Sequence, residues 1–353
     1  MKILDVTVRD GSYAVDFKYS RAEVKDIVSR LVRLGIKYIE IGHGQGLNAS
    51  SPERGISLRT DEEYICAAKE VSGNAKIGVF CIPGIARLED VKMAADHGVD
   101  FIRVGVPVVK VKDALPYVAE AKALGMQVMV NFMKSYANTP DDFAQSALIA
   151  YDEGAETVYL VDSAGYMLPK DITAFYNAIQ ITCPDVKLGF HGHNNIGYAV
   201  ANSMHCADLG FEFIDTSFQG LGRSIGNAST EMFVMAYERA HEHDGKSLGI
   251  DIPRLLEYGY VAMRDIMGQK VMHPLDLICG YTGFHTSFLK QIFHCCDNMN
   301  VDPLRLIMAY SKEDKLTIDY ERLCEVAKTL PQDDFDTNPY NFRTHFSTIF
   351  NDR

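Results

Sequence analysis

Eight short apolar runs, rich in β-branched residues, recur in the first part of the chain and constrain its fold more than any other feature. Such near-continuous apolar character is typical of strands buried on both faces of a parallel sheet. The stretches between the runs, such as 21–34 and 88–97, have the periodicity of amphipathic surface helices. Eight strand–helix units in about 240 residues predict an α/β fold, a (β/α)8 TIM barrel, although a doubly wound open sheet has the same local rhythm. The apolar runs are 3–8, 38–41, 77–82, 101–108, 128–133, 158–161, 188–190 and 213–218.

Glycines follow several of the predicted helices directly: Gly35, Gly98, Gly125 and Gly210. A glycine in this place can adopt the left-handed conformation that commonly ends a helix. The four glycines therefore predict where these helices stop.

The alternation changes after about residue 250, where three helix-like segments follow one another with no apolar strand between them. The segments are 253–267, 287–299 and 320–329. We therefore predict a TIM-barrel catalytic domain at 1–250, a helical appendage at 251–330 and an irregular tail at 331–353.

The bulk composition limits the classes of function. The formal net charge is −12, from 35 basic and 47 acidic side chains, and argues against nucleic acid or an acidic membrane as a partner. None of the eight cysteines forms a CxxC pair, which favours buried free thiols. The sequence contains neither a signal-peptide core nor an apolar stretch of about 18 residues, so a soluble cytoplasmic protein is expected.

Polar residues gather where the predicted strands end, which is where TIM barrels carry their active sites. His191 and His193 are two residues apart on the seventh strand, so both side chains point to the same face. Asp10 follows the first strand, which only one strand separates from the seventh in a closed barrel. One carboxylate and two imidazoles form half of a coordination shell for a divalent cation, with open positions for a chelating substrate. The alternative is that both histidines are hydrogen-bonded core or loop residues.

Two neighbouring features bear on anion chemistry. Arg9 precedes the predicted carboxylate ligand, where a fixed guanidinium stabilises charge developing on an enolate oxygen; the alternative is an ion pair with a strand-end carboxylate. The glycine-rich run 220–226 follows the eighth strand and does not open a first βαβ unit. We interpret it as a tight strand-to-helix loop near the barrel mouth.

Together these segments resemble the metal-dependent superfamily of 4-hydroxy-2-oxovalerate aldolase, isopropylmalate synthase and hydroxymethylglutaryl-CoA lyase. Three motifs in the right order carry the resemblance: DVTVRDG at 5–11, HGHNN at 191–195 and GLGRSIGNA at 220–228. The aldolases are the closer match. That match extends through RDGSYA at 9–14, GHGQGL at 42–47, VDSAG at 161–165 and GYTGFHTSFL at 280–289.

The resemblance implies a manganese ion, with magnesium as the alternative, held by Asp10, His191 and His193. Asn227 matches a residue that reaches the metal in related lyases, so it is a further candidate ligand. The implied reaction is cleavage of a 4-hydroxy-2-oxo acid to pyruvate and an aldehyde, or the reverse, through a metal-bound pyruvate enolate.

The resemblance also implies roles in binding the substrate. Arg9 would stabilise the enolate and Ser163 would hold the substrate carboxylate. Tyr281 would shape or assist the aldehyde end of the site.

One position departs from the aldolase pattern. The aldolases usually read RDGSHA, with the histidine as the base for the 4-hydroxyl proton, and here that position is Tyr13. A phenol with a pKa near ~10 is a poor base at neutral pH unless its surroundings lower that value. His43 and His285 are the candidate replacements, and position 285 is commonly tyrosine in the aldolases. The alternative is that both histidines are structural.

Three further functions are compatible with the sequence. A Claisen-type synthase joining an acyl-CoA to a 2-oxo acid would use the same metal site, but it usually carries an acidic residue soon after RDG. A Schiff-base aldolase would use Lys134. The chain is also compatible with a weakened partner subunit, since the aldolases pair with an aldehyde dehydrogenase. Barrels of this kind commonly self-associate, so a homo-oligomer is expected.

Overall fold

A computed structural model describes residues 1–261, 263, 266 and 274–333. The chain divides into two compact units, Met1–Val271 and Met272–Arg353. The first unit contains every strand found in the described residues, and the second is helical where it is described.

The first unit is a closed barrel of eight parallel strands in sequence order. Pairing between β1 and β8 closes it, with Lys2 opposite Phe213 and Asp5 opposite Thr216. The predicted TIM barrel is confirmed and the open sheet is excluded. The strands are β1 Lys2–Asp5, β2 Tyr38–Ile41, β3 Lys76–Cys81, β4 Phe101–Pro107, β5 Gln127–Met133, β6 Thr157–Asp162, β7 Lys187–Gly192 and β8 Phe213–Thr216.

Helices follow the strands around the barrel. Ser20 and Thr60 each begin a helix with a capping box, in which the side chain accepts from a backbone N–H that would otherwise lack a partner. The four glycines predicted to end helices all have φ between 76° and 88°. The helices are α1 Arg21–Arg33, α2 Asp61–Lys69, α3 Leu88–Asp96, α4 Val111–Ala123, α5 Pro140–Glu153, α6 Pro169–Thr182, α7 Ala199–Asp208, α8 Thr230–Ala240 and α9 Ile252–Leu256, with a π turn at Glu257–Val261.

The first strand is shorter than its apolar run. It ends at Asp5, whose carboxylate accepts hydrogen bonds from the amide and the hydroxyl of Thr7. The amides of Asp10 and Gly11 then both donate to the Val6 carbonyl, and a 3-10 turn spans Asp10–Val15. These local hydrogen bonds replace strand pairing after Asp5. Asp10 therefore lies in a turn beyond the end of the strand.

Side chains fill the barrel interior in layers, as the alternation of side chains along each strand requires. Four aromatic rings from the even-numbered strands form one layer. The Tyr38 ring lies 5.5 Å from that of Phe101 and 4.9 Å from that of Phe213, and Tyr159 lies 6.4 Å from Phe213. A Cβ at Gly78 would come within 2.1 Å of the Phe101 ring, so this glycine on an odd-numbered strand gives the ring its space.

The second unit has its own hydrophobic core, in which Leu306, Ile292 and Leu323 are fully buried. The expected boundaries at 250 and 330 stay predictions. Residues 334–353 of the expected tail lie outside the described part of the chain. Among the described residues, no helix is long and apolar enough to span a bilayer. The helices of this unit are α10 Pro274–Thr282, α11 Leu289–Met299, α12 Pro303–Tyr310 and α13 Tyr320–Lys328.

Candidate metal centre

The fold brings Asp10, His191 and His193 together at the C-terminal end of the barrel. Each offers one donor atom, and the three atoms lie within 4.8 Å of one another. All three residues are buried, and the two imidazole rings are 5.1 Å apart and nearly perpendicular. Strand β8 separates β1 from β7 in the closed barrel, as the sequence predicts.

Unpaired polar atoms at this site fit a bound cation. Within the described part of the chain, His193 Nδ1 and Asn227 Oδ1 are buried without a hydrogen-bond partner. Burial lowers the pKa of His193 to about 4, so its ring is neutral at pH 7. Burial alone would raise the pKa of the Asp10 carboxyl, but Arg9 and the two histidines hold it well below its usual range. A neutral imidazole and an ionised carboxylate are the forms that bind a divalent metal.

The carboxylate of Asp215 orients the imidazole ring of His191. The Nδ1 atom of His191 lies 2.8 Å from the Asp215 carboxylate, which accepts the Nδ1 proton. This bond leaves Nε2 with its lone pair available for a metal. A carboxylate in this position fixes the tautomer and raises the basicity of the ligand.

Asn227 lies beside the ligands with its amide directed by two bonds. Its Nδ2 donates to Asp10 Oδ2 at 2.9 Å and to the Leu221 carbonyl at 2.8 Å. A Cβ added at Gly222 would lie 2.7 Å from Asp10 Oδ2, so this glycine lets the loop backbone lie directly against the carboxylate. The glycine-rich segment is thus a tight loop after β8 at the site, and Asn227 Oδ1 is placed as a further candidate ligand.

Arg9 is fixed beside the same carboxylate. Its Nη1 donates to Asp10 Oδ1 at 2.7 Å and to the Gly44 carbonyl at 3.3 Å, and its Nε donates to Glu40 at 2.6 Å. Its guanidinium also lies over the ring of Phe80, 4.8 Å from the centroid. These ion pairs hold a cation at the edge of the metal centre, and the role of Arg9 towards an enolate stays a prediction.

A layer of charged side chains lies above the aromatic layer of the barrel. Glu40, Arg103 and Asp215 each stand two residues after an aromatic residue of that layer, on the same strands. Arg103 donates to Glu40 at 2.7 Å and to Asp215 at 2.6 Å, and all three side chains are buried. Consecutive bonds therefore run from one proposed ligand to another. We call this set the buried charge chain: Asp10, Arg9, Glu40, Arg103, Asp215 and His191.

Glu40 and Arg103 are residues of the site that the strand-end pattern does not identify. Both stand inside apolar runs, in YIEI and FIRVGVP. A charged residue in the middle of a buried strand must be paired, because an isolated buried charge is very unfavourable. This rule predicts from the sequence that Glu40 and Arg103 are each paired or functional, but it does not identify their partners.

Ser163 follows β6 at the barrel mouth. Its hydroxyl oxygen accepts a hydrogen bond from the Lys134 amide at 2.9 Å, so its own proton remains free to be donated. A substrate carboxylate would accept such a bond. Ser163 is half-buried, as a binding residue at the mouth would be.

The ring of His43 is held by backbone groups. Its Nδ1 accepts from the Gln45 amide at 3.0 Å, and its Nε2 lies 3.1 Å from the Gly55 carbonyl. The ring also stacks on Phe17 at 4.0 Å. Burial lowers its pKa to about 4. These contacts favour the structural interpretation, because both nitrogens are already bonded.

Tyr13 occupies the place of the aldolase base. Its ring lies against Gly44, where an added Cβ would come within 2.3 Å, and edge-on to Phe17 at 5.0 Å. Burial raises the pKa of the Tyr13 phenol, although Arg223 opposes this shift. The phenol therefore keeps its proton at neutral pH, where it is a hydrogen-bond donor and a poor base.

Two further candidates lie in the second unit. His285 is the N-cap of a 3-10 turn, and its Nδ1 lies 2.7 Å from the Ser287 hydroxyl and accepts from the Ser287 amide. Tyr281 belongs to α10, and its side chain falls outside the described part of the chain. Their roles at the aldehyde end stay predictions.

A barrel with one carboxylate and two imidazoles at its mouth defines a class of metal-dependent enzymes. The HMGL-like family model matches residues 1–259, and the chain belongs to that family. The superfamily resemblance found in the sequence is confirmed.

Relatives with curated names match most of the chain. An oxaloacetate decarboxylase of Mycobacterium tuberculosis is 38% identical over 303 residues, covering 86% of this chain and 85% of the relative. A 4-hydroxy-2-oxovalerate aldolase of Roseiflexus castenholzii is 32% identical over 330 residues, covering 93% and 97%. These are names of carbon–carbon lyases, and the chain is an enzyme of this kind.

A solved structure also shares the fold. The HMG-CoA lyase of Brucella melitensis superposes with a TM-score of 0.62 at 21% identity. The match covers 75% of this chain and 98% of the other. At this identity the likeness concerns the fold alone.

Proposed function

We propose that this protein is a divalent-metal-dependent aldolase that cleaves a 4-hydroxy-2-oxo acid to pyruvate and an aldehyde, or joins them. The observation that supports it is the buried triad of Asp10, His191 and His193 beside the fixed guanidinium of Arg9. These three residues would hold Mn²⁺, with Mg²⁺ as the alternative. The bound ion would supply Lewis-acid polarisation of the C2 carbonyl of the substrate.

The side chains at the mouth suit the steps of such a cleavage. The C3–C4 bond breaks, its electron pair forms an enolate over C2 and C3, and the 4-hydroxyl loses its proton as C4 becomes a carbonyl. Arg9 would stabilise the negative charge on the C2 oxygen. Ser163 would donate to the substrate carboxylate. C3 then takes a proton to give pyruvate.

Removal of the proton from the 4-hydroxyl group requires a base. Tyr13 keeps its own proton, and both nitrogens of His43 are bonded to backbone groups. The resemblance leaves His285 as the proposed base, with Tyr281 proposed to assist the aldehyde end. A variant at His285 should lower kcat for aldol cleavage more than it raises KM.

The direct test is pyruvate release from 4-hydroxy-2-oxopentanoate by chelator-treated protein, with and without added Mn²⁺. We expect release that depends on the metal and is lost in Asp10→Ala. Calorimetric titration of both proteins with Mn²⁺ shows whether the loss follows metal binding. A protein that binds Mn²⁺ but releases no pyruvate would contradict the aldolase proposal.

A second candidate is the decarboxylation of oxaloacetate, which uses the same metal site. The C3–C4 bond again breaks towards an enolate, but the other fragment leaves as CO₂ and no hydroxyl proton has to be removed. The protonated state of Tyr13 favours this reaction, since it needs no base at that position. The oxaloacetate decarboxylase named among the relatives adds support.

The variant Tyr13→His separates the two candidates, because it restores the residue usual in the aldolases. If decarboxylation is the native reaction, this variant should gain aldol cleavage relative to the parent. If aldol cleavage is native with Tyr13 in place, the substitution should disturb a working site and lower kcat. Oxaloacetate and 4-hydroxy-2-oxopentanoate are compared in parallel.

The Claisen-type synthase and the partner subunit find less support. Synthases acting on an acyl-CoA usually carry an acidic residue soon after RDG, where this chain has Ser12, Tyr13 and Ala14. A role as a partner subunit of an aldehyde dehydrogenase rests on the resemblance alone, as does a homo-oligomer. Light scattering of the purified protein tests the oligomer, and copurification tests the partner.

A further inference from the structure

We propose that Cys295 and Cys324 form a modification site, at which a small hydroperoxide oxidises the two thiols to a reversible disulfide between α11 and α13. Both cysteines are free thiols in the structure. They lie in the second unit, Met272–Arg353, so the inference does not depend on the reaction proposed for the barrel.

The two sulfur atoms are already in contact. The Sγ atoms of Cys295 and Cys324 lie 3.8 Å apart, although the residues are 29 positions apart in the sequence. A disulfide has a sulfur–sulfur distance of about 2.05 Å, so each sulfur atom has to move by only about 1 Å to form the bond. The fold therefore brings together two thiols that the sequence keeps far apart.

Buried neighbours of both cysteines hold α11 against α13. Ile292 lies one turn before Cys295 on α11, and Leu323 directly precedes Cys324 on α13. Both apolar side chains are fully buried in the core of the second unit. The contact between the sulfur atoms is thus part of a packed helix pair, in which side chains keep well-defined positions.

Two further contacts join the same helices near the surface. The ring of Tyr320 stacks on that of His294, with the centroids 5.5 Å apart. Asn298 Nδ2 donates to the Tyr320 hydroxyl at 3.4 Å. Because His294 directly precedes Cys295, and Tyr320 lies one turn before Cys324, these contacts support the same approach of the two helices.

The two thiols differ in their access to solvent. Cys324 is half-buried, whereas Cys295 is fully buried. Burial raises the pKa of Cys295 to about 12, and its hydrogen bond with Cys324 acts in the same direction. Cys295 therefore keeps its proton at neutral pH, and Cys324 is the thiol that a dissolved oxidant reaches first.

The oxidation has two steps. The thiolate of Cys324 attacks one oxygen of hydrogen peroxide: an S–O bond forms, the O–O bond breaks, and the leaving hydroxide takes up a proton to give water. The sulfur of Cys295 then attacks the sulfur of Cys324: an S–S bond forms, the S–O bond breaks, and a second water leaves with the proton of Cys295. In total the two thiols lose two electrons, and one peroxide is reduced to two waters.

The disulfide joins α11 to α13 and closes a loop that contains α12. A cross-link of this kind restricts the unfolded chain, so it should raise the urea concentration at the midpoint of unfolding. Small thiols reduce the bond through a mixed disulfide, which makes the modification reversible.

Thiol counting after exposure of the full chain to hydrogen peroxide tests the proposal. The chain has eight cysteines, all of them free, and oxidation should lower the number of thiols titrated in the denatured protein from eight to six. Tryptic digestion without reduction should give peptide 291–305 joined to peptide 323–328, at a mass two hydrogens below the sum of the two. Dithiothreitol should restore all eight thiols.

Variants identify the cysteines that react, since peptide 291–305 also contains Cys296. Cys295→Ala and Cys324→Ala should each abolish the cross-link, and Cys296→Ala should retain it. Cys324→Ala changes a half-buried position, so it tests the proposal even if Cys295→Ala does not fold. The matched control is Cys66→Ala, because Cys66 is likewise half-buried on a helix but lies in the first unit, and it should lose two thiols as the parent does.

Retention of all eight thiols in the treated parent would overturn the proposal. A cross-link that persists in Cys324→Ala would overturn it as well, because another pair would then be the one that reacts. Urea unfolding should show a higher midpoint after oxidation of the parent and no change in Cys324→Ala. A lower midpoint in the oxidised parent would show that the packed helices do not place the two sulfur atoms for a bond, and would also contradict the proposal.

Discussion

Asp215 links the metal centre to the barrel interior through two bonds. Its carboxylate accepts from His191 at 2.8 Å and from Arg103 at 2.6 Å. Because the first of these bonds fixes the tautomer of the ligand, Asp215→Asn should weaken Mn²⁺ binding by about 10- to 100-fold. Calorimetric titration with Mn²⁺ measures this change.

The control for that variant is Glu212→Gln. Glu212 precedes the same strand but bonds to Lys2 near the surface, at 2.6 Å. Its substitution should leave the Kd for Mn²⁺ unchanged. An unchanged Kd in Asp215→Asn as well would mean that Asp215 does not orient His191.

Asp5, the last residue of β1, makes the stability of the barrel depend on pH. Burial raises the pKa of Asp5 to about 7, although the bonds from Thr7 oppose this shift. In the unfolded chain an aspartate titrates near ~3.9, so the folded protein binds more protons between these two values. The contribution of Asp5 to the free energy of unfolding should therefore fall as pH rises from about 4 to 7, by up to about 4 kcal/mol. His43 and His193, whose pKa values burial lowers to about 4, contribute in the opposite direction, so the Asp5 contribution is measured as a difference from a variant.

Urea unfolding at several pH values, with Asp5→Asn beside the parent, measures this contribution. The difference in free energy of unfolding between the parent and Asp5→Asn should fall as pH rises through this range. The contributions of Asp162, whose pKa burial raises to about 6, and of the two histidines are common to both proteins and cancel in the difference. Asp185→Asn, at an exposed loop position, should keep the full slope. An unaltered slope in Asp5→Asn would contradict the assignment.

At the scale of the elements, the loop after β6 supports the ligand that follows β7 through one glycine. Gly165 has φ +59°, and an added Cβ would lie 2.5 Å from the Asn195 amide nitrogen and 2.7 Å from the His193 carbonyl oxygen. Both neighbours are backbone atoms, which cannot rotate away as a side chain can. Gly165→Ala should therefore displace His193 and weaken Mn²⁺ binding by more than about tenfold, as loss of a ligand-positioning contact does.

Gly84→Ala is the control that separates the effect of backbone strain from the effect of the steric clash at Gly165. Gly84 has φ +89°, but an added Cβ there meets nothing within 4 Å. Both variants incur a similar conformational cost of about 1–2 kcal/mol, and only Gly165→Ala should alter the Kd for Mn²⁺. Equal effects of the two substitutions on the Kd would show that the contact with His193 is unimportant.

At the scale of the whole molecule, each of the two units has a core of its own. Ile292 is fully buried in the second unit, whereas the metal triad belongs to the first. Ile292→Ala should lower the free energy of unfolding by about 2–5 kcal/mol and leave the Kd for Mn²⁺ unchanged. Differential scanning calorimetry with Mn²⁺ titration tests this; a parallel fall in Mn²⁺ affinity would contradict it.

The sequence predicts the barrel well because strand burial and helix periodicity are local properties. The run 38–41 is a strand with the predicted ends, and Gly35 ends its helix as expected. The predicted end of the first strand was wrong, since the bonds from Thr7 to Asp5 depend on side-chain geometry that apolar periodicity does not contain.

The candidate site is predictable where residues lie at the strand ends and less so inside the barrel. Asp10, His191 and His193 come together because parallel strands end at one mouth. Glu40 and Arg103 pair across the interior between β2 and β4. Such a pairing depends on the register of strands that are distant in sequence, so no local pattern identifies the partner.

The buried charge chain has a consequence for how descendants of this protein can diverge. Arg103 is the cation that Glu40 and Asp215 share, and its loss would leave Glu40 bonded to Arg9 and Asp215 bonded to His191, with one positive charge fewer for the two buried carboxylates. A lineage that replaces Arg103 should therefore also change Glu40 or Asp215. Ser163 stands outside that chain, on the loop after β6. Natural variation should accordingly retain the chemistry of the interior while new substrates are acquired through changes in the loops at the mouth.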